Sequence, residues 1–226
     1  MEEELSKEAA GKEDTHTART VLISLVIVAA VFLLLFNLHK FYKKDIPNPY
    51  EYTYNGVQFR QDSDSKWNFE VQWGNRLVAV PLQFGPRELA SIPITGEVDE
   101  RFSGEEIYVT FDPAGSILGP TGAVVQEPLG HLTLAATELS LSLSQGMNFI
   151  PIAACTQNST VCQDSPIVTC AATDLPTIYL NRTGAAAVHL DGNCVILSGE
   201  GLELLKSVDR LLLYWYRVMP KASEDQ

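Results

Sequence analysis

Positive charge is scarce in this chain. Sixteen lysines and arginines stand against 28 aspartates and glutamates, for a formal net charge of -12 over 226 residues. A nucleic-acid surface needs clustered basic side chains to displace phosphate counterions, and no basic stripe occurs after Lys40, Lys43 and Lys44. No nucleic-acid partner is expected, and the acidity reads as a solubility device. Histidine is rarer still: beyond His16 and His39 only His131 and His189 remain, neither with a serine beside it. There is no G-x-S-x-G elbow for a serine nucleophile. The four cysteines contain no C-x-x-C pair, the usual knuckle of a structural zinc site. The loop Gly115-Ser116-Ile117-Leu118-Gly119-Pro120-Thr121-Gly122 lacks the Gly-Lys-[Ser/Thr] end of a phosphate loop, and Pro120 removes an amide such a nest would use. Without a nucleophile, base and orienter in view, the chain is expected to be no enzyme and to hold no metal or cofactor. A carboxylate pair is the catalytic device a sequence hides best, being defined by spatial separation. Asp99, Glu100, Glu105 and Glu106, beside turns, read as solvated faces.

Long apolar runs are absent as well, with one exception. Residues 21–38 read VLISLVIVAAVFLLLFNL, without a charge. About 20 such residues at 1.5 Å each cross a hydrocarbon core of about 30 Å. A cleaved signal peptide would need a basic leader and a small-residue cleavage site. Here the leader holds Glu2, Glu3, Glu4, Glu8, Glu13 and Asp14, and the run ends in Phe36-Asn37-Leu38-His39-Lys40-Phe41. The chain therefore divides into a disordered polar tail (1–19), a single-pass transmembrane helix (20–39), a juxtamembrane spacer (40–50), an α+β ectodomain (51–220) and an acidic tail (221–226). Its localisation is the cell membrane, with the membrane as first partner.

Flanking charge does not orient the helix. Lys7, Lys12 and Arg19 precede it and Lys40, Lys43 and Lys44 follow. Two other features break the tie. Cysteine is missing from the whole first half: Cys155, Cys162, Cys170 and Cys194 all lie in the second. An even count confined to one region suggests disulfides on an oxidising side. Three pairings are open, with Cys155–Cys162 as a local staple and Cys170–Cys194 across neighbouring strands the favoured set. The sequons Asn158-Ser159-Thr160 and Asn181-Arg182-Thr183 share that region, making Asn158 and Asn181 glycosylation candidates outside the cytoplasm. The C-terminal domain is expected to be extracellular.

That domain reads as a mixed sheet with two packed helices. Asn55-Gly56 between alternating aromatic and β-branched residues predicts a hairpin. Trp67, Phe69, Val71 and Trp73 alternate with polar residues as a half-buried strand. Gly74-Asn75 marks the next turn, residues 77–82 a further strand, and Pro86 opens a helical turn. Residues 106–111 form a clear strand. Residues 130–145 satisfy both helical and strand periods; the Ala and Glu content favours helix, with Gly146 placed as a C-cap. Residues 149–153, 167–170, 177–180, 186–190 and 194–197 are strand candidates, with a hairpin turn at Asp191-Gly192. The last helix, 201–219, carries the stripe Leu204, Leu205, Val208, Leu211, Leu212, Trp215, Met219, with Lys206, Asp209 and Arg210 off it. It is apolar nearly all round. Either it is largely buried, or Leu213, Tyr214 and Tyr216 form an interaction surface.

Several stretches resemble a family of uncharacterised membrane-anchored envelope proteins of small-genome (DPANN-type) archaea. They include Trp67-Asn68-Phe69-Glu70-Val71, Val80-Pro81-Leu82-Gln83-Phe84-Gly85-Pro86-Arg87-Glu88-Leu89, Ile107-Tyr108-Val109-Thr110-Phe111-Asp112-Pro113, Gly192-Asn193-Cys194-Val195-Ile196 and Asp209-Arg210-Leu211-Leu212. The resemblance implies an envelope-facing α+β domain with no established activity, and no functional residue is carried over from it. The expected function is a non-catalytic envelope domain that binds a partner protein or a glycan, or supports an assembly. The alternatives are a cytoplasm-facing membrane scaffold and a carboxylate-dependent cell-surface hydrolase.

Overall fold

The structure is a computed structural model describing residues 19–37, 48–103, 105–114, 116–118, 124–126 and 129–221. Most of the expected polar tail, spacer and acidic tail, and most of the 115–122 loop, lie outside the described residues. The chain divides into two units, Met1–Asn48 and Pro49–Gln226. The first contains α1 (Arg19–Asn37), 19 residues of mean hydropathy 2.7. Among the described residues it is the one helix long and apolar enough to cross a membrane. Its polar side chains turn back on the helix. Ser24 Oγ donates to the Thr20 and Val21 carbonyls at 2.9 and 3.0 Å, and Asn37 Nδ2 to that of Leu33 at 2.8 Å. Such internal bonding is what a low-dielectric medium requires of polar groups.

The second unit is α+β. It opens with a four-stranded antiparallel meander: β1 (Glu51–Tyr54), β2 (Val57–Gln61), β3 (Trp67–Trp73) and β4 (Arg76–Leu82). Asn55 and Gly56 take φ of 47° and 80°, the left-handed pair that a two-residue hairpin needs. After α2 (Pro86–Leu89) come β5 (Ile94–Val98), β6 (Glu106–Phe111), the small hairpin β7 (Ser116–Leu118) and β8 (Val124–Gln126), and α3 (Gly130–Leu141). Then follow β9 (Ile150–Cys155), β10 (Thr177–Asn181), β11 (Ala187–Gly192), β12 (Cys194–Ser198) and α4 (Leu202–Trp215). Six of these strands make one mixed sheet in the order β5-β11-β12-β10-β6-β9. Strands β12, β10, β6 and β9 run parallel, and β11 with β5 runs against them.

One face of this sheet carries Ile107, Val109, Ile178, Leu180, Val188, Leu190, Val195 and Leu197, all buried, in registers that set Ile178 beside Val195 and Leu180 beside Leu197. The same core takes in Phe59, Phe69, Val80 and Leu82 of the meander and the apolar residues of α3 and α4. Helix α4 thus has neighbours on every side. Residues 207–213 are all buried, Asp209 and Arg210 included. The expected polar edge of this helix is therefore a correction. Asp209 accepts the Phe84 amide at 2.8 Å. Arg210 donates to the carbonyls of Ile92 (3.2 Å) and Pro220 (2.6 Å). Buried polar groups are held by hydrogen bonds, and these bonds pin the segments on either side of the helix.

The opposite face of the sheet is covered near β6 and β9 by the cysteine-bearing loop. Thr110 Oγ1 donates to the Val168 carbonyl at 2.9 Å, and the Cys155 amide to that of Pro166 at 3.0 Å. Residues 167–170, expected as a strand, contribute one isolated bridge, Cys155 to Ile167. The β11–β12 turn is one residue later than expected: Asp191 pairs with Cys194, so Gly192 (φ 58°) and Asn193 turn the chain. Helix α3 forms as the composition favoured and continues into a π turn, Ser142–Gly146. Gly146 is not a left-handed cap. A Cβ there would fall 1.8 Å from Tyr216 Oη, so its lack of a side chain serves close approach.

Candidate binding site

All four cysteines are paired as Cys155–Cys162 and Cys170–Cys194, with Cα separations of 6.2 and 5.4 Å. The favoured connectivity is the observed one, although Cys170 lies in a loop and only Cys194 on a strand. The two sequons differ. Asn158 is exposed within the loop closed by Cys155–Cys162. Asn181 ends β10 half-buried, its Nδ2 donating to Ser198 Oγ at 3.2 Å and its Oδ1 accepting from Thr183 Oγ1 at 2.9 Å.

The proposed surface of Leu213, Tyr214 and Tyr216 is corrected. Leu213 is 0% and Tyr216 3% exposed. Tyr216 packs edge-on to Phe69 and Trp73 and donates to the Ser142 carbonyl at 3.3 Å, and burial pushes its hydroxyl up to about 12. Tyr214 is half-buried, with Lys221 Nζ 5.6 Å from its ring centre. The residue of this helix that reaches the surface as part of an apolar site is Trp215, which the periodicity had assigned to the core stripe.

Trp215 shares a pocket of about 210 Å³ with Trp73, Val98, Phe102, Met147 and Phe149. All six are half-buried and rest on the main core. They stand at the ends of elements or in the turns between them. Trp73 closes β3 before the Gly74 turn, and Val98 closes β5. Phe102 sits in the short 3-10 turn Glu100–Ser103, held by its amide on the Asp99 carbonyl at 3.2 Å. Met147 and Phe149 flank Asn148, whose φ of 63° reverses the chain just before β9; Asn tolerates that region better than most residues. The Phe102 and Trp215 rings lie 6.1 Å apart, tilted by 53°. No lining side chain is ionisable, so the pocket can hold apolar or π-attracted groups but cannot transfer a proton.

A second cleft, about 130 Å³, lies between β4 and α3. Its walls include Val78, Val80, Leu134, Leu141 and Tyr216, with half-buried Lys66 and buried Glu138. Behind Glu138 lies Asp209, 0% exposed. Burial, then the hydrogen bond to Glu138 and repulsion from it, drive the Asp209 carboxyl well above the usual range. Glu138 of α3 and Asp209 of α4 are thus neighbouring buried acids between the two helices. The exposed acids considered as catalytic candidates are not convergent: Asp99 pairs with Arg101, and Glu100, Glu105 and Glu106 face solvent.

Sequence reasoning missed the pocket because its residues are scattered along the chain and three, Trp73, Val98 and Trp215, stand at element ends, where periodicity carries least information. No family model, curated protein or solved structure matches this chain.

Proposed function

We propose that this protein is a membrane-anchored, non-catalytic envelope domain that faces the cell exterior and binds a ligand or partner through the Trp73–Trp215 pocket. The observation that carries the reading is that pocket: two tryptophans, two phenylalanines, a methionine and a valine left partly exposed together. Aromatic residues and methionine are enriched at recognition surfaces and depleted from ordinary solvent-facing ones. The long apolar helix supports anchoring, and two disulfides with no free thiol support an oxidising compartment. The kinship expected with archaeal envelope proteins belongs to the same proposal.

The test is a photo-crosslinking side chain placed at Phe149 in the full-length protein in intact cells. A discrete adduct should form and should disappear when Trp215 is replaced by Ala. Labelling that ignores the Trp215 substitution, in a protein that still folds, would contradict a binding role for the pocket.

A further inference from the structure

We propose that the aromatic pocket binds a quaternary ammonium group, carried by a small solute or by a lipid headgroup; this rests on the binding reading above and names its ligand. Four of the six lining side chains are aromatic. Aromatic faces are electron-rich and attract cations, tryptophan most strongly. The lining also discriminates among cations. Its side-chain polar atoms are the indole N–H groups of Trp73 and Trp215, which donate and do not accept, and the Met147 thioether sulfur, a weak acceptor. A primary ammonium would bring three N–H donors to side chains that offer only that weak acceptor in place of their water. A quaternary ammonium has no N–H to satisfy, so it keeps the attraction and avoids that penalty.

Size and charge agree. The pocket's 210 Å³ is below the roughly 300 Å³ at which drug-sized sites begin, so it suits a head group rather than a whole ligand. Val98 and Phe102 lie in an acidic stretch: residues 97–106 hold Glu97, Asp99, Glu100, Glu105 and Glu106 against Arg101 alone. Glu97 pairs with Lys221 and Asp99 with Arg101. Glu100, Glu105 and Glu106 are exposed and form no ion pair among the described residues. Arg76 and Arg217, near Trp73 and Trp215 in the chain and equally exposed, oppose these three, and the chain as a whole is at -12. That surplus favours a cation over a neutral side chain of equal shape.

The experiment titrates full-length protein in nonionic detergent with choline, with its neutral isostere 3,3-dimethylbutan-1-ol, and with glycerophosphocholine, reading tryptophan fluorescence. Choline should give a saturable change, and the neutral isostere should bind at least about tenfold more weakly, since it lacks the cation–π attraction. Phe102→Leu and, separately, Trp215→Phe should each weaken choline binding several-fold with the circular dichroism unchanged. Replacing Glu100 and Glu105 by Gln should weaken choline and leave the isostere unaffected. Stronger binding of glycerophosphocholine than of choline assigns the group to a lipid headgroup; the reverse assigns it to a free solute. Equal binding of choline and the isostere would overturn the proposal in favour of a plain apolar socket, and no saturable response to any of the three would overturn it outright. Either failure leaves the Phe149 crosslinking result standing as an independent test of partner binding.

Discussion

Asp209 shows what a single buried residue does to this molecule. Its carboxyl is raised by burial first and by Glu138 second, so the folded protein holds that proton more tightly than the unfolded chain does. The contribution to stability is complete below the ordinary value of 3.8 and is lost as pH climbs through the elevated folded value. Asp209→Asn keeps an acceptor for the Phe84 amide and cannot ionise. Relative to the natural protein, its urea midpoint should therefore improve as pH rises from 5 to 9; parallel curves would contradict this. Gly146 makes a second residue-scale case. Adding a methyl group there forces Tyr216 aside and should cost about 1–3 kcal/mol, the usual range for overpacking. Tyr216→Phe removes the nearest atom and should recover part of that loss, a coupling that a double-mutant cycle reads directly. Glycan acceptance should also differ by residue. In a glycosylating host Asn158→Gln should abolish a mobility shift, and Asn181→Gln, at a side chain already bonded on both atoms, should leave it unchanged.

Among the elements, the loop between β9 and β10 depends on its two crosslinks. Their sequence separations are 7 and 24. Loop-closure entropy assigns them about 2.4 and about 3.5 kcal/mol respectively. Replacing Cys170 and Cys194 by Ser should therefore lower the chemical-denaturation free energy more than replacing Cys155 and Cys162; the opposite order would mean native contacts, not chain entropy, set the effect. The same comparison of elements shows what could be read in advance. The meander was legible because β3 alternates apolar and polar residues and two of its turns carry the pairs Asn55-Gly56 and Gly74-Asn75. Strand β5 was not, because Gly96 interrupts it. That glycine has φ of 75°, and a Cβ on it would lie 1.9 Å from the Leu190 carbonyl, so the feature that lets β5 pair with β11 is the one that erases its strand signature. Residues 167–170 failed for the opposite reason. They are largely β-branched, yet only Val168 is buried, and it lies over the sheet rather than joining it. Helix α4 was legible in position, but it ends at Trp215 and not at Met219, with Arg217 at a φ of 61° turning the chain; the fate of its polar residues depended on what packs around it, which no periodicity records. The disulfides could be guessed from spacing. The pocket could not, since Trp73, Phe102, Phe149 and Trp215 meet only after both sheets have formed.

For the whole molecule, the architecture joins an apolar helix, in sequence, to an α+β unit that has its own core, its own crosslinks and an acidic surface. These properties support a single physical account: the helix is retained in a bilayer, and the larger unit matures where thiols oxidise. The measurement that tests this most directly is thiol alkylation of intact cells followed by carbonate extraction and mass analysis of the full-length chain. The expected result is a protein that stays with the membrane pellet and takes up no alkylating reagent until it is reduced, then takes up four equivalents, matching Cys155, Cys162, Cys170 and Cys194. A chain released by carbonate, or one carrying four thiols that react without reductant once the cells are lysed, would contradict it.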